Sequence, residues 1–124
     1  MARLAVVGLK ELLQVIAENK SRYSTIFVQY YGDHDDHGLS WCPDCVKAEP
    51  IIDKIFSELK DNVLLVSCAV GDRPKWKDQE NEFRKHEIIQ LKSIPTLIEW
   101  GTDRTVIEED CRDESLVKQF FRLK

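Results

Sequence analysis

The segment Trp41-Cys-Pro-Asp-Cys45 decides how this chain is read. It follows a polar stretch, Gly32-Asp-His-Asp-Asp-His-Gly-Leu-Ser40, and precedes a run in which Ile52, Ile55, Phe56 and Leu59 recur on one helical face. A helix starting here takes Cys42 as N-cap and Pro43 as its first residue, where a missing N–H costs nothing and the fixed φ favours the turn. Asp44 and Cys45 complete that first turn. The Cys42 sulfur then lies over unpaired N–H groups and the positive end of the helix dipole. That position favours the thiolate, which is the nucleophilic form. Cys45, one turn along, is near enough to close a disulfide and is tucked under the helix. The spacing therefore predicts an exposed attacking thiol at Cys42 and a buried resolving thiol at Cys45. Asp44 has two readings, a favourable carboxylate in the first turn or a group that exchanges a proton with Cys45. In both it raises the thiol pKa values by like-charge proximity, against the dipole.

Outward from the motif, strands and helices alternate. Leu4 to Val7 predicts a short strand, and Leu9, Leu12, Leu13 and Ile16 follow the spacing of one helical face. Thr25-Ile-Phe-Val-Gln-Tyr-Tyr31 is β-branched and aromatic and predicts a buried strand; residues 32–40 predict a loop. Pro50 lies inside the second helix and predicts a kink. Val63-Leu-Leu-Val-Ser-Cys-Ala69 is the continuous apolar run of a strand covered on both faces. Gly71 to Asp78 reads as a loop, and Glu80 to Glu87 as a weak polar helix. Thr96 to Trp100 and Thr105 to Glu108 form a hairpin around Gly101-Thr-Asp-Arg104. Asp113 caps a last helix whose Leu116, Val117 and Phe120 face inward. The order βαβαβαββα implies a parallel core with helices on both faces and an antiparallel edge.

The chain has 124 residues, which predicts one domain spanning 1–124, large enough to fold without disulfide staples. Hydrophobic residues make up 43 % and charged residues 32 %, the balance of a soluble globular protein rather than a disordered one. Against 18 Lys+Arg stand 22 Asp+Glu, a net charge of −4, which argues against a nucleic-acid partner. No apolar run approaches the roughly 18 residues of a membrane span. The apolar stretch before Lys10 is too short for a signal-peptide core, so the expected location is cytoplasmic. There, the 4 cysteines point to chemistry or metal rather than to a structural framework.

Trp41-Cys-Pro-Asp-Cys45 with Pro50 resembles the active-site helix of thioredoxin, and Ile94-Pro95-Thr96 resembles its cis-proline loop. With Val70-Gly71-Asp-Arg-Pro74 and Trp76-Lys-Asp78 the likeness narrows to the family of small thioredoxin-related proteins of 14 kDa and runs from about Thr25 to Cys111. The resemblance implies a thioredoxin-like α/β fold: a mixed central sheet of about five strands flanked by helices, the cis-proline loop facing the CxxC helix. It implies a cytosolic thiol–disulfide oxidoreductase working as a disulfide reductase. Thioredoxin reductase would restore the dithiol, with electrons from NADPH and no bound cofactor. Disulfide-containing small molecules, peptides or selected proteins would be substrates of a monomer, with a minor peroxidase activity and a redox signalling role beside the main reaction. Carried over, Cys42 is the nucleophile, Cys45 the resolving thiol and Cys42–Cys45 the redox-active disulfide. Pro95 is cis and faces that disulfide, while Trp41, Ile94 and Thr96 contact substrate, Ile94 through its backbone. Three departures stand out. Pro-Asp replaces the Gly-Pro between thioredoxin's cysteines. Gln29 stands where thioredoxin's strand carries a buried acid, and an amide takes no proton from the resolving thiol, which leaves Asp44 or a water for that role. The 32–40 loop is longer and forms a charged rim, which implies a narrower substrate range.

Competing readings attach to single residues. His34, His37, Cys42 and Cys45 form a potential zinc array, but Val46 stands where a metal knuckle needs glycine, so no metal is expected. His34 and His37 read as solvated loop residues. Cys68 reads as core, and Cys111 as a more exposed thiol. Arg73-Pro-Lys-Trp-Lys77 reads as a loop anchored by Trp76. A redox-switched binding or signalling module on the same fold is the alternative to an enzyme.

Overall fold

The computed structural model describes residues 2–123. Five strands form one mixed sheet in the order β1-β3-β2-β4-β5, with β1 Ala2–Val7, β2 Thr25–Tyr31, β3 Val63–Ala69, β4 Thr96–Glu99 and β5 Thr105–Ile107. β3 runs parallel to both β1 and β2, while β4 is antiparallel to β2 and β5 antiparallel to β4. The expected parallel core with an antiparallel edge is therefore present. Every residue of β3 is buried, as its almost wholly apolar sequence requires of a strand between two neighbours and two helical layers; Ser67, its one polar side chain, bonds to Gln29.

Alternation along the strands divides the core into two apolar layers. Ile26, Val28 and Tyr30 of β2 and Leu64, Val66 and Cys68 of β3 pack with Leu12 and Ile16 of α1 (Leu9–Asn19) and with Phe83. On the other face, Phe27, Leu65 and Leu97 pack against α2 (Pro43–Ser57) and α5 (Glu114–Phe121). Asp113 caps α5, accepting the Leu116 N–H at 3.2 Å. Val117, Phe120 and Phe121 carry the buried face of α5, whereas Leu116, expected inside, is 36 % exposed. It precedes Val117 by one residue, roughly 100° around the helix from that buried position. α2 continues through Pro50 as one helix.

Two local expectations are corrected. The stretch read as a loop at 71–78 contains a short helix, α3 (Arg73–Lys77), capped by Asp72, whose carboxylate accepts the Lys75 N–H at 3.0 Å. Trp76 is buried, with the Arg84 guanidinium 3.8 Å above its ring. The helix expected from Glu80 to Glu87 is only one turn, α4 (Glu82–Lys85), started by the Asn81 side chain.

Candidate active site

α2 starts where its sequence requires. Cys42 is the N-cap in extended conformation, Pro43 is the first helical residue, and the Cys45 N–H donates to Cys42 Sγ at 3.3 Å. The cap bond is thus accepted by the sulfur that serves as candidate nucleophile. The two residues are free thiols. Cys45 is fully buried, as expected, but Cys42 is only 6 % exposed, so the expected open attacker is a sulfur reached through a narrow window. The Ile94 carbonyl lies 3.9 Å from Cys42 Sγ and closes one side of that window.

The two thiols are driven apart in acidity. Cys42 is lowered to about 7, chiefly by the hydrogen bond from the Cys45 thiol and then by the backbone N–H groups of Cys45 and Asp44; burial and the Asp44 carboxylate oppose this. Cys45 is raised, because it donates that bond and is buried; the Gly32 N–H and the Ser40 hydroxyl pull the other way. One thiol is thus prepared to attack and the other to keep its proton until needed. Asp44 acts on Cys42 as foreseen. The polar groups favouring ionised Cys45 are Gly32 and Ser40, neither of which stood out in the sequence.

Trp41, half-buried, is pinned beside the motif. Its Nε1–H donates to the Gly71 carbonyl at 2.9 Å, and its ring lies flat against Gly32. The Asp33 carboxylate accepts the Gly71 N–H at 2.9 Å, and the Trp41 N–H donates to the Asp33 carbonyl at 3.3 Å. A Cβ on Gly32 would meet Trp41 Cε2 at 2.6 Å. Gly32→Ala is therefore expected to expel the indole and cost about 1–3 kcal/mol, seen as a lower denaturant midpoint at unchanged m.

The Ile94–Pro95 bond is cis. The Pro95 carbonyl turns inward, accepting the Glu108 N–H at 2.7 Å and facing Cys111 Sγ at 3.6 Å. Cys111, expected near the surface, is fully buried behind this loop, and burial raises it to about 12. Cys68 is core, as expected, and is also raised to about 12 by burial. Ile94 is nearly buried, leaving its backbone as the part beside Cys42. The Thr96 hydroxyl donates to the Ser93 carbonyl at 2.8 Å, and at 4 % exposure it braces the turn rather than opening toward a substrate.

The 32–40 loop is more ordered than its polarity suggests. Asp35 accepts the N–H groups of His37 and Leu39, making the tip a self-capped turn whose charged residues face solvent. His34 departs from a merely solvated role. Its ring stacks on Tyr31 at 4.6 Å, and its Nε2 lies 2.5 Å from Glu49 Oε1 on α2. Ser40 is buried, accepting the Cys42 N–H at 3.2 Å and donating to the Gly32 carbonyl at 2.6 Å. A hydroxyl two residues before an N-cap cysteine was the available signal for Ser40; Glu49 offered none. Gln29 is buried on β2, its Oε1 taking bonds from Arg3 at 3.1 Å and Ser67 at 3.3 Å. Among the described residues, no three His, Cys, Asp or Glu side chains converge to hold a metal, and no helix is long and apolar enough to cross a membrane.

Residues 5–123 match the family model described as thioredoxin domain-containing protein 17-like, thioredoxin domain. The chain is 41 % identical over 118 residues to thioredoxin domain-containing protein 17 of Danio rerio, and 34 % identical over 118 residues to that of Homo sapiens. Each alignment covers 95 % of this chain and 93 % of the relative. It is 37 % identical over 93 residues to the thioredoxin-like protein Clot of Arabidopsis thaliana, covering 74 % of this chain and 69 % of that one. Among solved structures, a Schistosoma mansoni thioredoxin superposes with a TM-score of 0.55 at 12 % identity, covering 97 % of this chain and 99 % of the other. That likeness concerns the fold.

Proposed function

The chain belongs to the thioredoxin domain-containing protein 17-like family, a thiol oxidoreductase kind, and from that premise we propose that it is a disulfide reductase working through the Cys42–Cys45 dithiol. The observation that carries this reading is the division of labour at the start of α2. Cys42 Sγ accepts the Cys45 N–H at 3.3 Å and is held acidic, while Cys45 is fully buried behind it and keeps its proton. The Cys42 thiolate attacks a substrate disulfide and forms a mixed disulfide; Cys45 then attacks Cys42, and the reduced substrate leaves. The Ile94 backbone beside Cys42 suits an extended substrate, and Trp41 bounds the opposite side.

In this proposal thioredoxin reductase returns the disulfide to dithiol with electrons from NADPH, and the protein carries no cofactor of its own. The support is the resemblance of the motif to that of thioredoxins. The proposal extends, by the same resemblance, to a cytoplasmic monomer acting on small or peptide disulfides and on selected proteins. The narrow approach to Cys42, 6 % exposed, favours such slender substrates over broad protein surfaces.

The test is NADPH oxidation in the presence of thioredoxin reductase and cystine. The native protein is expected to sustain turnover and Cys42→Ser to give none. Equal rates in the two would refute the reading.

A further inference from the structure

Between the β4–β5 hairpin and the segment 88–93 lies a cavity of about 610 Å³, within the range of small-molecule sites, roughly 300–1,000 Å³. Its apolar lining is Ile88, Ile89, Leu91, Ile98, Trp100 and Ile107. Trp41, Cys42 and Cys45 are not part of it. Ile88 is 75 % exposed and Ile107 48 %, so large apolar side chains stand in water on both the loop wall and the strand wall. The loop wall is preformed. His86 Nδ1 accepts the N–H groups of Ile88 and Ile89 at 3.3 and 3.2 Å, and the Leu91 N–H donates to the Phe83 carbonyl at 3.0 Å. Between them Gln90 is held at a left-handed φ of 42°, which a residue with a side chain keeps only where its neighbours fix it.

Polarity enters this cavity at one end. Tyr30, fully buried, lines it with its ring edge-on to Phe83 at 5.8 Å, and its hydroxyl has no hydrogen-bond partner among the described residues. Burial pushes the phenol well above its usual range, so it remains an O–H donor. A buried hydroxyl left unpaired is disfavoured, and an acceptor that reaches it relieves that cost. Tyr30 stands opposite Thr96 in the β2–β4 ladder, and the Thr96 hydroxyl bonds the Ser93 carbonyl, next to Lys92. Lys92 also lines the cavity, is exposed and, among the described residues, makes no ion pair. At the hairpin-turn end, Arg104 is committed to Glu99 and the Phe120 carbonyl, and the Asp103 carboxylate disfavours an anion.

We propose that this cavity binds a small aromatic carboxylate, whose ring covers Ile88, Ile98, Trp100 and Ile107 and whose acid group accepts the Tyr30 O–H and pairs with the Lys92 ammonium. Removal of the apolar walls from water supplies the affinity, and the two polar groups fix the orientation, acid toward Lys92 and ring toward the hairpin turn. A neutral ligand of the same shape satisfies Tyr30 and forgoes Lys92; a cation is repelled at that end. No sulfur takes part, so the site stands or falls apart from the reductase reading.

Titration of the full chain with 2-naphthoate, followed in amide proton–nitrogen correlation spectra, tests the site. Saturable shifts centred on residues 88–93 and 98–107 are expected, with Trp41 to Cys45 unmoved. Tyr30→Phe, which keeps the ring against Phe83, is expected to weaken binding about tenfold or more, the loss of one hydrogen bond to a charged group. Lys92→Gln is expected to weaken it about threefold, as loss of an exposed ion pair does, and to leave the affinity for the uncharged 2-naphthylmethanol unchanged. Failure of 2-naphthoate to saturate, shifts centred on Cys42, or native affinity in Tyr30→Phe would overturn the proposal. Should Tyr30→Phe fail to fold by circular dichroism, the exposed Lys92→Gln decides: the same change in affinity for acid and alcohol, or none for either, would overturn it.

Discussion

A Cys45→Ser variant is expected to attack substrate disulfides and then stall, holding the substrate on Cys42 as a mixed disulfide visible in intact-mass spectra. The serine hydroxyl is far too weak an acid to supply the second nucleophile. It does retain an O–H, however, and the hydrogen bond from residue 45 is the largest cause of the acidity of Cys42. Cys45→Ser should therefore keep the half-point of Cys42 alkylation near the native value of about 7. Cys45→Ala loses the donor as well as the nucleophile, and its half-point is expected to move up toward the ordinary 9.0. The sign follows from the reactive form. Alkylation needs thiolate, so its rate rises with pH up to the pKa and levels off above it, and a pKa one unit higher costs about tenfold in rate at any pH well below both. Identical alkylation profiles for the serine and alanine variants would show that the bond between the thiols does not set the reactivity of Cys42.

Phe27→Ala carries the largest expected loss of stability. Phe27 is 2 % exposed, its ring centroid 5.3 Å from that of Phe120 and 4.9 Å from that of Phe121, the latter pair edge to face. Phe121 in turn meets Phe56 of α2 at 5.7 Å, so the ring cluster on Phe27 continues through α5 to the active-site helix. Truncating a buried phenylalanine in such a cluster costs about 3–5 kcal/mol, from lost transfer energy and the cavity left behind. For a domain of this size that lowers Tm by on the order of 10 °C or more. Thermal unfolding followed by circular dichroism measures it. A shift of a degree or two would mean that α5 does not close over Phe27 as described.

The start of α2 was legible from the chain because a helix cap is a local device. Cys42, Pro43 and the Cys45 N–H lie within one turn, and the bond between them follows from residue types in sequence. Asp113 and α5 were legible for the same reason. β3 was readable because a seven-residue run whose one polar member is Ser67 needs cover on both faces wherever it lies. The misread segments are those with too few residues to show a period. α3 has five residues and α4 four, and each is held by a capping side chain and by a buried aromatic, Trp76 or Phe83.

What the sequence alone determined is the order of the five strands and of the three longer helices α1, α2 and α5, the dithiol at a helix start and the apolar stripes that cover the sheet. Tertiary structure decided everything that depends on partners far along the chain. Cys111 is buried because it joins the core layer formed by α2 and α5, with the Pro95 carbonyl, 16 residues away, turned toward its sulfur. His34 finds Glu49 across 15 residues, and Trp41 finds the Gly71 carbonyl across 30. Cys42 is narrowly exposed because Ile94, 52 residues on, comes to lie beside it. None of these pairs has a local signature. They form only when the order β1-β3-β2-β4-β5 sets the ends of the strands side by side, where a cap can be foreseen from neighbouring residues and a long-range contact cannot.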